Sequence, residues 1–202
     1  MRLPYVPNPP QFSNPTDQAI VSRVQERRGS QGLQELDLAL LHAPPVADGW
    51  NSFLGAIRSR TTLSPSIRET AICRVAVLNR AWYEWMQHAP ILRAAGELAE
   101  ADLEYIVKRP SRSQTQRPGG TAVEGVRPSE RLDERYLAVL DYTDAMTMDV
   151  VVPEEVFGRL RGLFSEREVV EITSTVGAYN CVSRFLVALD VGEKNGDTGP
   201  DQ

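Results

Sequence analysis

The amino-acid sequence predicts an all-α fold. Alternating runs of β-branched residues are nearly absent from the 202-residue chain, and the run at 150–152 is too short for a strand. Most of the chain instead carries apolar residues at helical spacing, with polar caps or prolines where the periodic segments begin. At 42% apolar residues, the chain is long enough for one well-buried core, or for two small lobes that share one.

The first part of the chain predicts an arm and then helical segments. Residues 1–14 contain four prolines and predict an extended arm that lies over a surface or over a neighbouring subunit. Asn14 before a proline is typical of a helix start. A short leucine-rich run ends before Pro44, and residues 47–57 predict another helix with Trp50 on its apolar stripe.

The segment 66–88 is apolar on every side, which is typical of a central, buried helix. If it formed one straight helix, Glu69 would lie about 22 Å from Glu84, at 1.5 Å per residue. The two acids can meet only if the helix breaks between them, or if they belong to different subunits. Asn79 and Arg80 mark the predicted break, because asparagine suits both the end of one helix and the start of the next.

The rest of the chain predicts four more helices and one irregular stretch. Residues 108–128 are rich in Arg, Ser, Gly and Pro and predict a flexible insertion of about twenty residues. The helices are predicted at 101–107, 129–146, 153–163 and 165–189. The predicted organisation is therefore an extended arm at 1–14, a single helical domain at 15–192 and a disordered polar tail at 193–202.

Composition excludes several classes of protein. A net charge of −5 argues against a nucleic-acid-binding surface, and no run of eighteen apolar residues is present to span a membrane. The N-terminus lacks the apolar region of a secretory signal. The only cysteines, Cys73 and Cys181, are too far apart for a redox motif, and both are expected to be buried structural thiols. We expect a cytoplasmic protein that binds a small molecule and has neither a nucleic-acid nor a membrane partner.

Glu84 and His88 are the first candidates for chemistry. They are four residues apart, so on a helix they share one face and can share a proton. An acid beside a histidine selects its tautomer and lets it titrate near neutrality, as a proton shuttle requires. The alternative is a surface pair that contributes a few tenths of a kcal/mol. The aromatic residues around the pair favour burial but leave both interpretations open.

Three further residues have a possible structural role. Glu69 is either a second catalytic acid or a first-turn acid stabilised by the helix dipole. Arg74 lies among apolar residues and needs an acidic partner, for which Glu69 is too far round the helix to be certain. His42 is expected to satisfy carbonyl groups at a helix end.

Two stretches of the chain resemble a known family. Residues 66–76, 78–79 and 83–88 resemble the signature of the carboxymuconolactone decarboxylase family, within the alkylhydroperoxidase-like superfamily. Residues 152–157, 164–168, 179–180 and 184–185 are similar to the later part of longer members. The resemblance runs from about residue 35 to residue 190 and implies a helical bundle that assembles as a homo-oligomer, either a trimer or a hexamer.

The redox branch of that superfamily carries an upstream Glu, a Cys-x-x-Cys motif and a His four residues later. Glu69 and His88 match this pattern, whereas the two cysteine positions are occupied by Ala81 and Glu84. Without these two thiols, the chain cannot reduce peroxides by forming a disulfide at this position.

The decarboxylase branch implies a carbon–carbon lyase without a metal or organic cofactor. Such enzymes remove a carboxylate from an unsaturated lactone acid and protonate the resulting carbanion. The resemblance implies His88 as proton donor, Glu84 as its partner and Glu69 as a second acid. The residues expected to contact the substrate are Tyr83, Trp50 and Arg74.

Three functions remain open on the sequence. The first is a lyase or isomerase that acts by proton transfer on a small carboxylated, lactone-like or polyketide-like substrate. The second is a non-catalytic helical oligomer that binds a small ligand or a partner. The third and weakest is a single-thiol redox protein that uses Cys73.

Overall fold

The computed structural model describes residues 1–111 and 127–200. Most of the predicted insertion at 108–128 therefore lies outside the described residues. Within those two ranges the chain forms nine α-helices and no strand, which confirms the all-α prediction. The helices are α1 (Pro15–Arg28), α2 (Glu35–Leu40), α3 (Pro44–Ser59), α4 (Pro65–Leu78), α5 (Trp82–Ala95), α6 (Glu100–Lys108), α7 (Glu134–Met148), α8 (Glu154–Leu163) and α9 (Glu166–Leu189), with a short 3₁₀ turn at Gly29–Gln31.

Helix α4 is the centre of the bundle. It packs against α5, α6, α7 and α9, and its side chains are buried all around its circumference. This explains why its sequence has no polar face. None of the helices in the described ranges is both long and apolar enough to cross a membrane.

The predicted break in the 66–88 segment is present. Helix α4 ends at Leu78, Asn79 caps it, and Arg80 takes the left-handed backbone conformation with φ 52° before α5 begins at Trp82. The Asn79 side-chain amide donates to Asn180 Oδ1 of α9 at 3.1 Å, which fixes the turn to a neighbouring helix. Because α5 turns back along α4, residues far apart in sequence can meet between the two helices.

Two predicted helix starts are wrong by several residues, each for a local reason. Helix α3 begins at Pro44 rather than at 47, because proline is tolerated in the first turn, where its missing N–H has no helical partner. Helix α7 begins at Glu134 rather than at 129, because Asp133 caps it through the N–H groups of Arg135 and Tyr136.

The N-terminal arm lies along the surface of its own chain. The Arg2 N–H donates to the Leu189 carbonyl at 2.7 Å, and the buried Val6 donates to the Leu38 carbonyl at 3.4 Å. His42 Nε2 contacts the Pro4 carbonyl oxygen at 2.7 Å. The arm therefore joins the end of α9 to helix α2.

The first residues of the predicted disordered tail also make contacts. Glu193 is paired with the N-terminal amine and accepts from the Tyr5 hydroxyl at 3.1 Å. The Asn195 N–H donates to Asp190 Oδ1 at 3.0 Å. The polar groups of these residues therefore have partners at the end of α9 and on the arm.

Candidate active site

A cleft of about 580 Å³ opens between the ends of α1 and α2, helix α3, helix α5 and helix α9. Two of the predicted catalytic residues, Glu84 and His88, line it, and so does Tyr83. The remaining lining residues are the arginines Arg27, Arg28 and Arg58, the amides Gln31, Gln34 and Gln87, and the apolar residues Leu36, Ile91, Val182 and Leu186. The cleft thus combines cationic, acid–base and apolar groups.

Glu69 and His88 meet across the α4–α5 hairpin, 19 residues apart in sequence. Glu69 Oε2 lies 2.6 Å from His88 Nδ1, and both side chains are almost fully buried. Arg68 Nε donates to the other Glu69 oxygen at 3.2 Å, so each carboxylate oxygen has a partner. The condition set by the sequence, a break near Asn79, is what brings this pair together.

The hydrogen bond to Glu69 selects the tautomer of His88. The carboxylate accepts from Nδ1–H, which leaves the Nε2 lone pair for the cleft. Within residues 1–111 and 127–200, Nε2 has no hydrogen-bond partner. Burial lowers the pKa of His88, and the hydrogen bond to Glu69 opposes this shift. A neutral imidazole whose Nε2 is unpaired, on a residue that lines a cleft, is suited to accept a proton.

Glu84 lies close to His88 in sequence but bonds to another helix. Ser183 Oγ of α9 lies 2.9 and 3.1 Å from its two carboxyl oxygens. Burial raises the pKa of Glu84 well above its usual value, and the Ser183 hydrogen bond and the Arg58 charge oppose this shift. Glu84 therefore holds a proton under conditions that ionise an exposed glutamate. The prediction that Glu84 is the hydrogen-bond partner of His88 is wrong, because Glu69 takes that position.

We expect the buried Glu84 to make folding stability depend on pH. The unfolded chain releases the Glu84 proton near pH 4.5 and the folded chain at higher pH, so the free energy of unfolding falls as pH rises between the two pKa values. The slope from this group reaches about 1.4 kcal/mol per pH unit. Replacing Glu84 with glutamine is expected to remove this component, measured by urea unfolding from pH 5 to pH 8. An unchanged slope in the variant would contradict the assignment.

Helix α9 supplies residues that the sequence did not single out as functional. The Tyr179 ring packs edge-on against the His88 imidazole, with centroids 4.9 Å apart. The Tyr179 hydroxyl accepts from Arg58 Nε at 2.8 Å, and burial raises the pKa of Tyr179 to about 12, so the phenol stays protonated. Tyr179 and Ser183 are four apart, on one face of α9, so a single helix supports both His88 and Glu84. The sequence did not identify Arg58 as a functional residue, because arginine is common in the last turn of an amphipathic helix.

The three predicted substrate contacts have different outcomes. Tyr83 lines the cleft, and its hydroxyl donates to Glu35 Oε2 at 3.0 Å. Trp50 lies outside the cleft and packs against Phe185, with ring centroids 5.3 Å apart.

Arg74 points into the core instead of the cleft. Arg74 Nε and Nη2 donate to the two oxygens of Asp144 at 2.6 and 3.1 Å, and Nη1 donates to the Ile106 carbonyl at 2.7 Å. The expected acidic partner is present, but it comes from α7. Arg74 is therefore a structural residue, and its prediction as a substrate contact is wrong.

The cysteines offer no obvious redox site. Cys73 is fully buried, and burial raises the pKa of its thiol well above the usual value, which disfavours the reactive thiolate. Cys181 is exposed, contrary to the expectation that both thiols are buried. In the described ranges, no three or more His, Cys, Asp or Glu side chains are grouped so that they could hold a metal ion.

A family model for the carboxymuconolactone decarboxylase family matches residues 44–104. The matched segment runs from the start of α3 into α6 and includes Arg58, Glu69, Glu84 and His88. No curated protein matches the chain significantly. The family match confirms the resemblance noted in the sequence.

Three solved structures are similar over most of the chain. An uncharacterized peroxidase-related protein from Ralstonia eutropha, described as an alkylhydroperoxidase AhpD core, is 16% identical with a TM-score of 0.69, over 94% of this chain and 90% of that one. A peroxidase-related protein from Silicibacter sp. is 18% identical with a TM-score of 0.67, over 96% and 95% of the two chains. A protein of unknown function from Agrobacterium tumefaciens is 21% identical with a TM-score of 0.57, over 80% and 94%. At these identities the likeness establishes the alkylhydroperoxidase-like fold.

Proposed function

We propose that this chain, a member of the carboxymuconolactone decarboxylase and alkylhydroperoxidase-like superfamily, is an enzyme that moves protons on a small carboxylated substrate, as a decarboxylase-like lyase or as an isomerase. The observation that carries this proposal is the 2.6 Å contact between Glu69 and His88 at the wall of a substrate-sized cleft. The contact orients the imidazole and leaves Nε2 available to a bound molecule.

The environments of His88 and Glu84 divide the two proton-transfer roles. Burial shifts the pKa of His88 downward and that of Glu84 upward, so a neutral base and a protonated acid coexist in one cleft. We assign His88 as general base and Glu84 as general acid. This reverses the roles implied by the resemblance, in which His88 is the donor.

Both reactions can be written with these groups. In an isomerisation, His88 Nε2 removes a proton from a carbon next to a carbonyl group, and Glu84 donates its proton to another carbon of the same enolate. His88 then releases its proton to water and Glu84 regains one from water, which restores the starting state of both groups. In a decarboxylation, the bond to the carboxylate breaks, its electron pair moves onto a carbonyl oxygen, and CO₂ leaves. Glu84 then protonates the carbanion carbon and regains a proton from water.

Two of the similar structures are peroxidase-related proteins, but thiol-based reduction of peroxides requires a pair of cysteines at the site. The chain has Ala81 and Glu84 where the redox motif has its cysteines. Neither of its two cysteines, the buried Cys73 and the exposed Cys181, is among the residues that line the cleft. We therefore place the chain outside the thiol-peroxidase branch as part of this proposal.

Ligand binding without turnover is the second candidate. Four apolar side chains, Leu36, Ile91, Val182 and Leu186, form one part of the cleft wall. An apolar surface beside a few polar groups is typical of a small-molecule site, whether or not the ligand reacts.

Deuterium exchange separates these candidates. The protein is incubated in D₂O with a panel of small γ-lactone acids, β-keto acids and unsaturated carboxylic acids, and NMR follows deuterium incorporation and CO₂ release. We expect the wild-type protein to accelerate exchange or CO₂ release for at least one compound. Binding of panel compounds without exchange or CO₂ release would favour the non-catalytic function and overturn the enzymatic one.

A further inference from the structure

We propose that Arg58 determines the specificity of the cleft by binding a carboxylate of the substrate through its two terminal nitrogens. The inference rests on the proposed function for the class of substrate, but the binding that it describes does not require turnover. Arg58 is half-buried near the end of α3 and lines the same cleft as His88 and Glu84.

Arg58 differs from the other two arginines of the cleft in its partners. Arg27 Nη2 lies 3.1 Å and Arg28 Nε 2.6 Å from the buried carboxylate of Asp37, so both are committed to a structural ion pair. No carboxylate in the described part of the chain lies within salt-bridge distance of Arg58. Its charge is therefore uncompensated beside a cleft, where an anionic ligand can pair with it.

The guanidinium group of Arg58 is already oriented. Its Nε donates to the hydroxyl of Tyr179 at 2.8 Å, and Tyr179 is completely buried. This bond uses one edge of the planar group and fixes its plane, while Nη1 and Nη2 have no hydrogen bond within the described ranges. The paired terminal N–H groups of arginine match the two oxygens of a carboxylate.

Tyr179 connects this anion position to the acid–base groups. The same ring whose hydroxyl holds Arg58 packs against the His88 imidazole, with centroids 4.9 Å apart. The neighbouring Glu84 is not within salt-bridge distance of Arg58, and both of its carboxyl oxygens are in contact with the Ser183 hydroxyl. A carboxylate on Arg58 would thus lie in the part of the cleft that contains His88 and Glu84.

The ligand that this arrangement selects is a carboxylic acid with a compact apolar body. The carboxylate pairs with Arg58, and the body contacts the apolar wall formed by Leu36, Ile91, Val182 and Leu186. A carboxylate that stays on the substrate keeps its charge throughout the reaction, so Arg58 acts on KM more than on kcat.

A matched pair of probes tests the proposal without turnover. We would titrate the full chain with 4-fluorophenylacetate and with 4-fluorophenylacetamide, which differ in charge at nearly constant size, and follow binding by fluorine NMR. In Arg58→Gln, the affinity for the acid is expected to fall by about 10- to 100-fold while the affinity for the amide changes little. Arg58→Lys, which keeps the charge but loses the paired donors, should give an intermediate loss.

Two control variants accompany Arg58→Gln. One changes an arginine at the same end of α3, and the other removes the hydroxyl that accepts from Arg58. Arg60→Gln removes an exposed arginine whose Nη2 donates to the Ser52 carbonyl, and it should leave both affinities unchanged. Tyr179→Phe removes the hydroxyl that orients Arg58 and should weaken binding of the acid by less than Arg58→Gln does. The proposal is overturned if the wild-type protein does not prefer the acid, or if folded Arg58→Gln retains that preference.

Failure of this inference can be told from failure of the proposed function. If the preference for the acid depends on Arg58 but no compound exchanges deuterium, the anion site stands and the enzymatic function falls. If exchange depends on His88 but the preference survives in Arg58→Gln, the enzymatic function stands and the role of Arg58 falls.

Discussion

Replacing His88 with glutamine is expected to lower kcat for proton transfer by about 10²- to 10⁴-fold, the range typical of a lost general base. Glutamine can still form a hydrogen bond with Glu69 but cannot take up a proton at the position of Nε2. The imidazole lies almost buried between Glu69 and the Tyr179 ring, which hold it in one orientation at the wall of the cleft. Rates of deuterium exchange in the wild-type and variant proteins measure the effect.

The chain offers a matched control for this variant. His42, the other histidine of the chain, contacts the Pro4 carbonyl at the N-terminal arm, so His42→Gln should keep full activity. Far-UV circular dichroism would check that both variants fold. A His88→Gln protein that is folded and retains the wild-type rate would rule out the base.

The pH dependence of the deuterium-exchange rate, which requires both the base and the acid, is expected to be bell-shaped. Neutral His88 is required, so activity falls as the pH drops below its pKa, which burial places below 6.5. Protonated Glu84 is also required, so activity falls as the pH rises through its pKa, which burial places well above 4.5. Glu69 raises the pKa of His88, and Glu69→Gln should therefore move the acid limb to lower pH. An acid limb that moves upward would contradict the contact between the two.

Replacing Arg74 with methionine is expected to destabilise the fold by about 3 kcal/mol, because it leaves the buried Asp144 carboxylate without its two-point partner. Both side chains are essentially inaccessible to solvent, so water cannot replace the lost donors. Arg109 Nη2 remains 3.6 Å from Asp144, which places the loss at the lower end of the usual range of about 3–5 kcal/mol. The melting temperature should fall by about 6–12 °C for a chain of this size.

Two further variants identify the cause of that loss. The double change Arg74→Met with Asp144→Leu removes both charges and should recover most of the stability, because an apolar pair can replace a buried ion pair. Arg167→Ala removes an exposed partner of Glu171 and should cost less than about 0.5 kcal/mol. If the double variant were as unstable as Arg74→Met, the loss would arise from packing and not from the unpaired carboxylate.

The sequence predicted which residues form the candidate site better than it predicted which residues they bond to. Glu69, Glu84 and His88 were identified from residue type, spacing and family resemblance, and each lies beside or in the cleft. The pairing was predictable only in part, because four-residue spacing places Glu84 and His88 on one helix face but does not say which neighbouring helix each side chain meets. Ser183 lies 99 residues from Glu84, a separation at which local sequence carries no information about contact.

The sequence by itself determined the helical class, the burial of helix α4, the break at Asn79 and the absence of the thiol pair. These depend on periodicity, capping and residue identity, which act within a few residues. Only the tertiary structure decided the partners of the key side chains. His88 forms a hydrogen bond with Glu69, Arg74 forms an ion pair with Asp144, and the Tyr179 hydroxyl accepts from Arg58 at the cleft. The reason is that such contacts are set by how one helix packs against the next, and that packing depends on side chains from the whole chain at once.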